Sequence, residues 1–281
     1  MIIGASWEFF GQDFFGLRLP AVIFSVAGLF LLFYLLHKIT NNLVVSTSFS
    51  MLTATNLWFL NFSRSGWENI FVCVSYLLNF IGFYHFFIEK RHRLGFVEVF
   101  VAAVSAFFFY HPGKMFLLAN LIIFSLALAS SDSKEKLKLV RYTVALFLVV
   151  LLLSLVLLAA YAYFPAAYSR IHSVSVFLHL KSVSEFSRHI LRNVFGMLTF
   201  LGPFFKGTVW ERYIPDSFFL IHFFVIPFYW LGLVISIKKY WYYFVFYLIV
   251  FLPVNMLSVS TPDAVRIVHN LPAVFLFAGI G

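Results

Sequence analysis

Apolar residues run along this chain in long blocks divided by short polar stretches. The blocks predict helices near 19–37, 43–62, 69–88, 94–110, 114–130, 140–164, 214–237, 241–257 and from 271 to the end. A hydrocarbon core takes about 20 helical residues to cross, and backbone groups in lipid must be satisfied internally. A membrane barrel would instead show ~10-residue segments of alternating polarity. The pattern therefore predicts an all-α chain, a polytopic helical membrane protein. It would form a single transmembrane domain over 1–281, with about eight to nine transmembrane segments. Residues 1–18 read as the tail of an outer loop.

One segment has a different period. Leu180, Val183, Phe186, Ile190 and Val194 recur at helical spacing, as do Lys181, Glu185, Arg188 and Arg192. At about 100° per residue the two sets centre roughly 170° apart. This predicts an amphipathic helix over about 180–194, lying in the membrane surface within a long outer loop, 165–213.

Composition agrees with lipid as the solvent. The 281 residues are 62% hydrophobic, 21% aromatic and only 11% charged. Soluble domains carry about a quarter charged residues. The lone cysteine, Cys73, lies between valines and excludes an internal disulfide or a CxxC site. The N-terminus lacks the basic region of a cleavable signal peptide and leads straight into an apolar run.

Basic residues orient the spans. Lys38, Lys90, Arg91, Arg93, Lys134, Lys136, Lys138, Arg141, Lys238 and Lys239 fall in alternate short connections, against Arg18, Arg64, Lys114 and Arg266 in the others. The positive-inside rule puts the larger set in the cytoplasm and the N-terminus outside. The formal net charge of +9 then reads as topology and contact with anionic membrane lipids, not as nucleic-acid binding. The unusual polar phrases, NFSRSGWEN at 61–69, HPGK at 111–114, GTVWERYIPD at 207–216 and TPDAVRIVH at 261–269, all fall on the outer face.

Those phrases supply the candidate chemistry. Arg18 precedes Pro20, whose place fits a first helical turn; its guanidinium could anchor a headgroup or clamp a phosphate. Arg64 and Glu68 are spaced as an ion pair or as two members of a polar cavity. His111 and Lys114 flank a Pro-Gly turn and could meet an anion. Arg212 stands in the aromatic belt, and Arg266 and His269 stand three apart at the start of the last helix. Glu98 lies within an apolar run, where a carboxylate is a functional hypothesis by default, although snorkelling towards Lys90, Arg91 and Arg93 is the plainer account. No HExxH, P-loop, GxSxG or paired Cys/His cluster occurs. No metal site is expected from protein ligands alone, and a divalent cation is the one cofactor left open.

Several phrases in order resemble the membrane glycosyltransferases of the protein O-mannosyltransferase and aminoarabinose-transferase superfamily, which have the GT-C fold. They are FFGQDFFGLRLPAVIFSVAGLFLLFYLLHK, NLWFLNFSRSGWENIF, FVAAVSAFFFYHPGKMFLLANLIIF, GTVWERYIPDSFFLIHFFVIPFYWLGLVISIKK and RIVHNLPAVFLFAGIG. The resemblance implies transfer of a sugar from a polyprenyl-phosphate donor to a protein, lipid or glycan acceptor outside the cytoplasm. Arg18 and Arg64 match the family phrases as written, and His111 lies in the matching turn. Arg212 and Arg266 would join them as phosphate-binding or loop-organising residues, with Glu68, Lys114 and His269 secondary. The family's catalytic aspartate follows a first helix that this sequence does not contain, and Asp13 does not match it. The expectation is thus an incomplete transferase, with a split or degenerate relative as the other two readings. The alternative outside this class is a non-enzymatic transporter or a glycan-export or envelope-assembly membrane protein. A transporter would need deep ionisable groups, of which Glu98 is the exception on view.

Overall fold

The computed structural model describes residues 2–65, 69–109, 111–163, 182–199, 220–256 and 268–281. Among these there are helices and no strand. In chain order they are α1 (Ile2–Phe10), α2 (Phe14–Thr40), α3 (Leu43–Thr55), α4 (Leu57–Arg64) and α5 (Asn69–Phe83), which runs on as a π-helical turn, Tyr84–Ile88. Next come α6 (His92–Phe109), a 3₁₀ turn (His111–Gly113), α7 (Lys114–Ala129), α8 (Ser133–Tyr163) and α9 (Val183–Thr199). Last are α10 (Val225–Lys239), α11 (Trp241–Met256), a second 3₁₀ turn (Val268–Asn270) and α12 (Leu271–Ile280).

Most expected helices are present, and the differences have local causes. The tail of the expected first loop contains a helix, α1. Asp13 then caps α2, its Oδ1 accepting from Gly16 N at 2.8 Å, so this helix begins five residues before the apolar run. Pro20 consequently lies inside α2 and not in its first turn. The run 43–62 is two helices bent by 62°. Asn56 makes the break: its backbone is extended, its side chain accepts from Phe59 N, and its Nδ2 donates to Leu220 O at 3.1 Å. The amphipathic segment is helical from Val183 to Thr199, and Leu180 and Lys181 of the expected helix lie outside the described residues. The expected start of the seventh helix, 214–219, lies outside the described residues.

Four helices or continuous helical stretches, Phe14–Thr40, Asn69–Ile88, His92–Phe109 and Glu135–Tyr163, are long and apolar enough to cross a membrane. Among the described residues up to six spans result if each bent pair, α3 with α4 and α10 with α11, counts as one; α7 and Val268–Ile280 are shorter apolar helices.

Helix α5 is apolar on all sides and occupies the centre, with Ile70, Val72, Tyr76, Phe80 and Phe83 all buried. Its rings interlock with α7 and α11: Tyr76 meets Phe116 at 5.3 Å between centroids, and Phe80 meets Tyr243 at 4.6 Å. Several polar groups inside this core are paired, although the buried Tyr76 hydroxyl has no hydrogen-bond partner among the described residues. Asn79 and Asn120 exchange amide hydrogen bonds at 3.1 and 2.8 Å, and the Tyr243 hydroxyl donates to Phe80 O. Such pairs fix which helix faces meet, because any other register would leave an amide unsatisfied. Helix α8 is the opposite case. Phe147, Leu148, Leu152, Leu155 and Leu158 are all exposed, and little of the helix is covered.

Candidate functional site

Helices α2 and α5 run parallel to each other and α6 antiparallel to both, which gives the bundle two ends. At the first, the start of α2 meets the start of α5 and the end of α6, with Phe24 against Phe71 at 4.7 Å and Phe71 against Phe109 at 5.5 Å. Arg18, the Arg64 end of α4 and the His111–Gly113 turn belong to this arginine end. The other end carries Lys38, Glu89, Lys90 and Lys138.

At the arginine end the candidates do not form one constellation. Arg18 is exposed, with its guanidinium over the Phe14 ring at 5.3 Å. Arg64 is exposed too, and its Nε donates to Leu60 O within its own helix at 3.3 Å. Lys114 is half-buried, with Nζ 5.9 Å from each of the Phe107 and Tyr161 rings, a cation–π cradle at the start of α7. His111 opens the 3₁₀ turn. His269 is fully buried, and its Nε2 is 2.9 Å from Asn270 Nδ2. The turn carrying it is held to α5 by Cys73 Sγ, 3.5 Å from Val268 O. Glu68, Arg212 and Arg266 lie outside the described residues. Asp13, as the cap of α2, already has a structural task.

The densest polar geometry is at the lysine end, in a place read from sequence as plain connectors. Glu98 does not snorkel to Lys90, Arg91 or Arg93. Its Oε2 lies 2.6 Å from Nδ1 of His85, on the π-helical turn. Nε2 of the same ring is 3.2 Å from the Tyr34 hydroxyl on α2. Glu89 adds a second layer: its Oε1 accepts from Lys38 Nζ at 2.9 Å, and Oε2 is 3.3 Å from Arg91 Nε and 3.8 Å from His85 Nε2. The Lys38 ammonium hydrogen-bonded to Glu89 holds that carboxyl below its ordinary value.

The backbone explains the pairing. Gly82 and Gly95 let α5 and α6 touch: a Cβ on Gly82 would stand 2.8 Å from Gly95 O, and one on Gly95 would stand 2.6 Å from Phe86 N. Only that approach brings side chains one turn further along each helix, His85 and Glu98, within a short hydrogen bond. The π turn then inserts an extra residue, which points His85 at α2 and α6 while Phe86 and Phe87 face α7 and α11.

With Glu98 ionised, Nδ1–H donates to it and Nε2 is left to accept from Tyr34. Both ring nitrogens are thereby occupied from inside the protein. The arrangement is a clasp joining α2, α5 and α6. Among the described residues no group of three His, Cys, Asp or Glu side chains could hold a metal ion.

No protein-family model, curated protein or solved structure matches the chain.

The sequence did hold a clue to the clasp. His85 and Glu98 stand at mirror positions about the basic loop, five residues before Lys90 and five after Arg93. Residues so placed on antiparallel neighbours face one another.

Proposed function

We propose that this is a multi-pass membrane protein of the cell membrane, and that it is glycosyltransferase-like with a GT-C-type architecture. The membrane part rests on α8 and the outer face of α2. Exposed rows of Phe, Leu, Ile and Val far exceed what a soluble surface tolerates, and lipid is the solvent that removes the penalty. The short Lys- and Arg-rich connections are then cytoplasmic and the arginine end faces outwards.

The transferase part is supported by one placement. Three phrases that resemble the superfamily contribute Arg18, Arg64 and the His111–Gly113 turn to the same end of the bundle. A polyprenyl-phosphate sugar would lie there with its phosphate at the headgroup level. An acceptor hydroxyl on a protein, lipid or glycan attacks the anomeric carbon, the bond from that carbon to the phosphate oxygen breaks, and the acceptor proton passes to a base. Charge grows on the departing phosphate, where Arg18 and Arg64, with Arg212 and Arg266, would offset it. A divalent cation could share that task. The base is not assigned to any described residue.

The test is binding and turnover by the full chain in nanodiscs, with a polyprenyl phosphate and its radiolabelled sugar conjugate as probes. The expected result is saturable binding that Arg18→Ala and Arg64→Ala each weaken about tenfold, as loss of a charge-assisted contact would. Wild-type protein that ignores the phosphate, or variants that bind it equally well, would reject the reading.

A second reading is favoured by the clasp. An ionisable pair buried between apolar helices is the feature a transporter or export protein needs and a passive scaffold does not. His85→Ala would then abolish solute flux in proteoliposomes, whereas a transferase would keep its donor binding.

A further inference from the structure

The lysine end contains a cavity of about 190 Å³ between the π turn, α6, α7, α8 and α11. Its lining combines the aromatic Phe86, Phe87 and Trp241 with the charged Lys90, Lys138 and Glu135. Neither lysine has an ion-pair partner among the described residues. His92 also lines the cavity; its ring packs edge-on against Phe86 at 4.8 Å, and its buried Nδ1 has no hydrogen-bond partner among the described residues. The fixed charges of the lining, two ammonium groups against one carboxylate, leave one net positive charge.

Lys90 is held there by an unusual backbone. It has φ 59°, the left-handed region, at the residue that closes the helix. Arg91 N donates back to His85 O at 2.8 Å and Glu89 N to Tyr84 O at 3.1 Å. Glycine is the usual occupant of such a closing position, and a long side chain there is uncommon. The strain has no return in the packing of Lys90, which is exposed. What the position does provide is an ammonium in the cavity lining, and strained residues of this kind gather at ligand sites.

We propose that this cavity binds a phosphate ester of single negative charge, in the form of the phosphodiester headgroup of an anionic glycerophospholipid. The inference rests on the membrane reading alone and is independent of the transferase chemistry at the opposite end. Lys90 and Lys138 clamp the phosphate, Trp241 lies beside the glycerol at the interfacial level such rings favour, and the Glu135 carboxylate disfavours doubly charged phosphate monoesters. The exposed Leu137, Val140 and Val144 on α8 offer apolar surface for the acyl chains.

Trp241 supplies the readout. Full-length protein is reconstituted into phosphatidylcholine vesicles, and brominated phosphatidylglycerol or brominated phosphatidylcholine is titrated in. Quenching of Trp241 is taken as the difference between wild type and Trp241→Phe. Phosphatidylglycerol is expected to quench at lower mole fraction, and Lys90→Gly and Lys138→Ala are each expected to reduce that preference about fivefold. Lys90→Gly removes the charge while relaxing the backbone, so this variant is expected to fold. A saturable change in Trp241 fluorescence with millimolar dimethyl phosphate, a soluble phosphodiester of the same single charge, with no preference between the two lipids, would assign the site to a soluble phosphate ester and overturn the lipid assignment. Equal quenching by both lipids, with no response to either substitution or to dimethyl phosphate, would overturn the site altogether. Protein that fails to enter the vesicles would instead refute the membrane reading.

Discussion

Nδ1 of His85 lies 2.6 Å from Oε2 of Glu98, and this contact joins the π-helical end of α5 to the second turn of α6. Its partners are nearly enclosed, so breaking it leaves a polar group that water cannot readily reach. Glu98→Gln keeps the shape but exchanges a charged acceptor for a neutral one, and should cost about 1 kcal/mol; Glu98→Ala should cost about 1–3 kcal/mol. Thermal unfolding in detergent checks this through Cys73, a buried thiol that a maleimide dye reaches on unfolding. Unchanged midpoints for both variants would show that the contact contributes nothing.

Gly82 tests whether the close helix approach creates that contact. A methyl group at Gly82 meets Gly95 O and the backbone of Val99 at 2.8 Å, so α5 and α6 must separate. Gly82→Ala is expected to destabilise by about 1–3 kcal/mol through overpacking. Because separation also breaks the His85–Glu98 bond, adding Glu98→Gln to Gly82→Ala should cost less than it does alone. Strict additivity in the double-mutant cycle would mean that the glycines and the clasp are independent.

These two glycines mark where the sequence stopped being readable. Long apolar runs placed most helices within a few residues, because hydropathy is a local property. The break at Asn56 was not legible in the same way: an asparagine within an apolar run is common, and only its bonds to Phe59 N and Leu220 O show that it ends one helix and begins another. Glu98 was conspicuous as a carboxylate among apolar residues, yet its partner was misassigned. Proximity along the chain favoured Lys90, Arg91 and Arg93, whereas the Gly–Gly approach and the π turn, both tertiary features, brought in His85. At the arginine end Arg18 and Arg64 lie at the same end of the bundle as their phrases suggested, but each is occupied within its own helix. His269, read as a polar residue at the start of the last helix, is buried in a turn packed against α5.

The Glu89 carboxyl provides a pH-dependent test. It is lowered chiefly by its hydrogen bond from Lys38, and the positive charges of Lys38 and Arg91 act in the same direction. A carboxyl with a folded value below the unfolded one stabilises fully above the unfolded value, about pH 4.3. That contribution is lost as pH falls through the lower, folded value. Detergent-solubilised wild type should therefore lose thermal stability below about pH 4.3, and Lys38→Met should lose less over the same window because its Glu89 is no longer held down. The same acid-limb slope in both proteins would separate Glu89 from the effect.

Orientation is the claim on which the assignment of the two ends depends. Ser65 closes α4 at the arginine end, and Ser130 follows α7 at the lysine end. If the short basic connections are cytoplasmic, Ser65→Cys should react with a membrane-impermeant maleimide on intact cells. Ser130→Cys should react only after permeabilisation. Cys73 is buried and should leave a low background in both. Labelling of Ser130→Cys from outside, with Ser65→Cys protected, would invert the protein. It would move the arginine end away from any donor presented on the outer face, and the cavity bearing Lys90 and Lys138 would then face the outer leaflet. Because every proposed contact depends on which end meets which leaflet, this measurement should come before the binding assays.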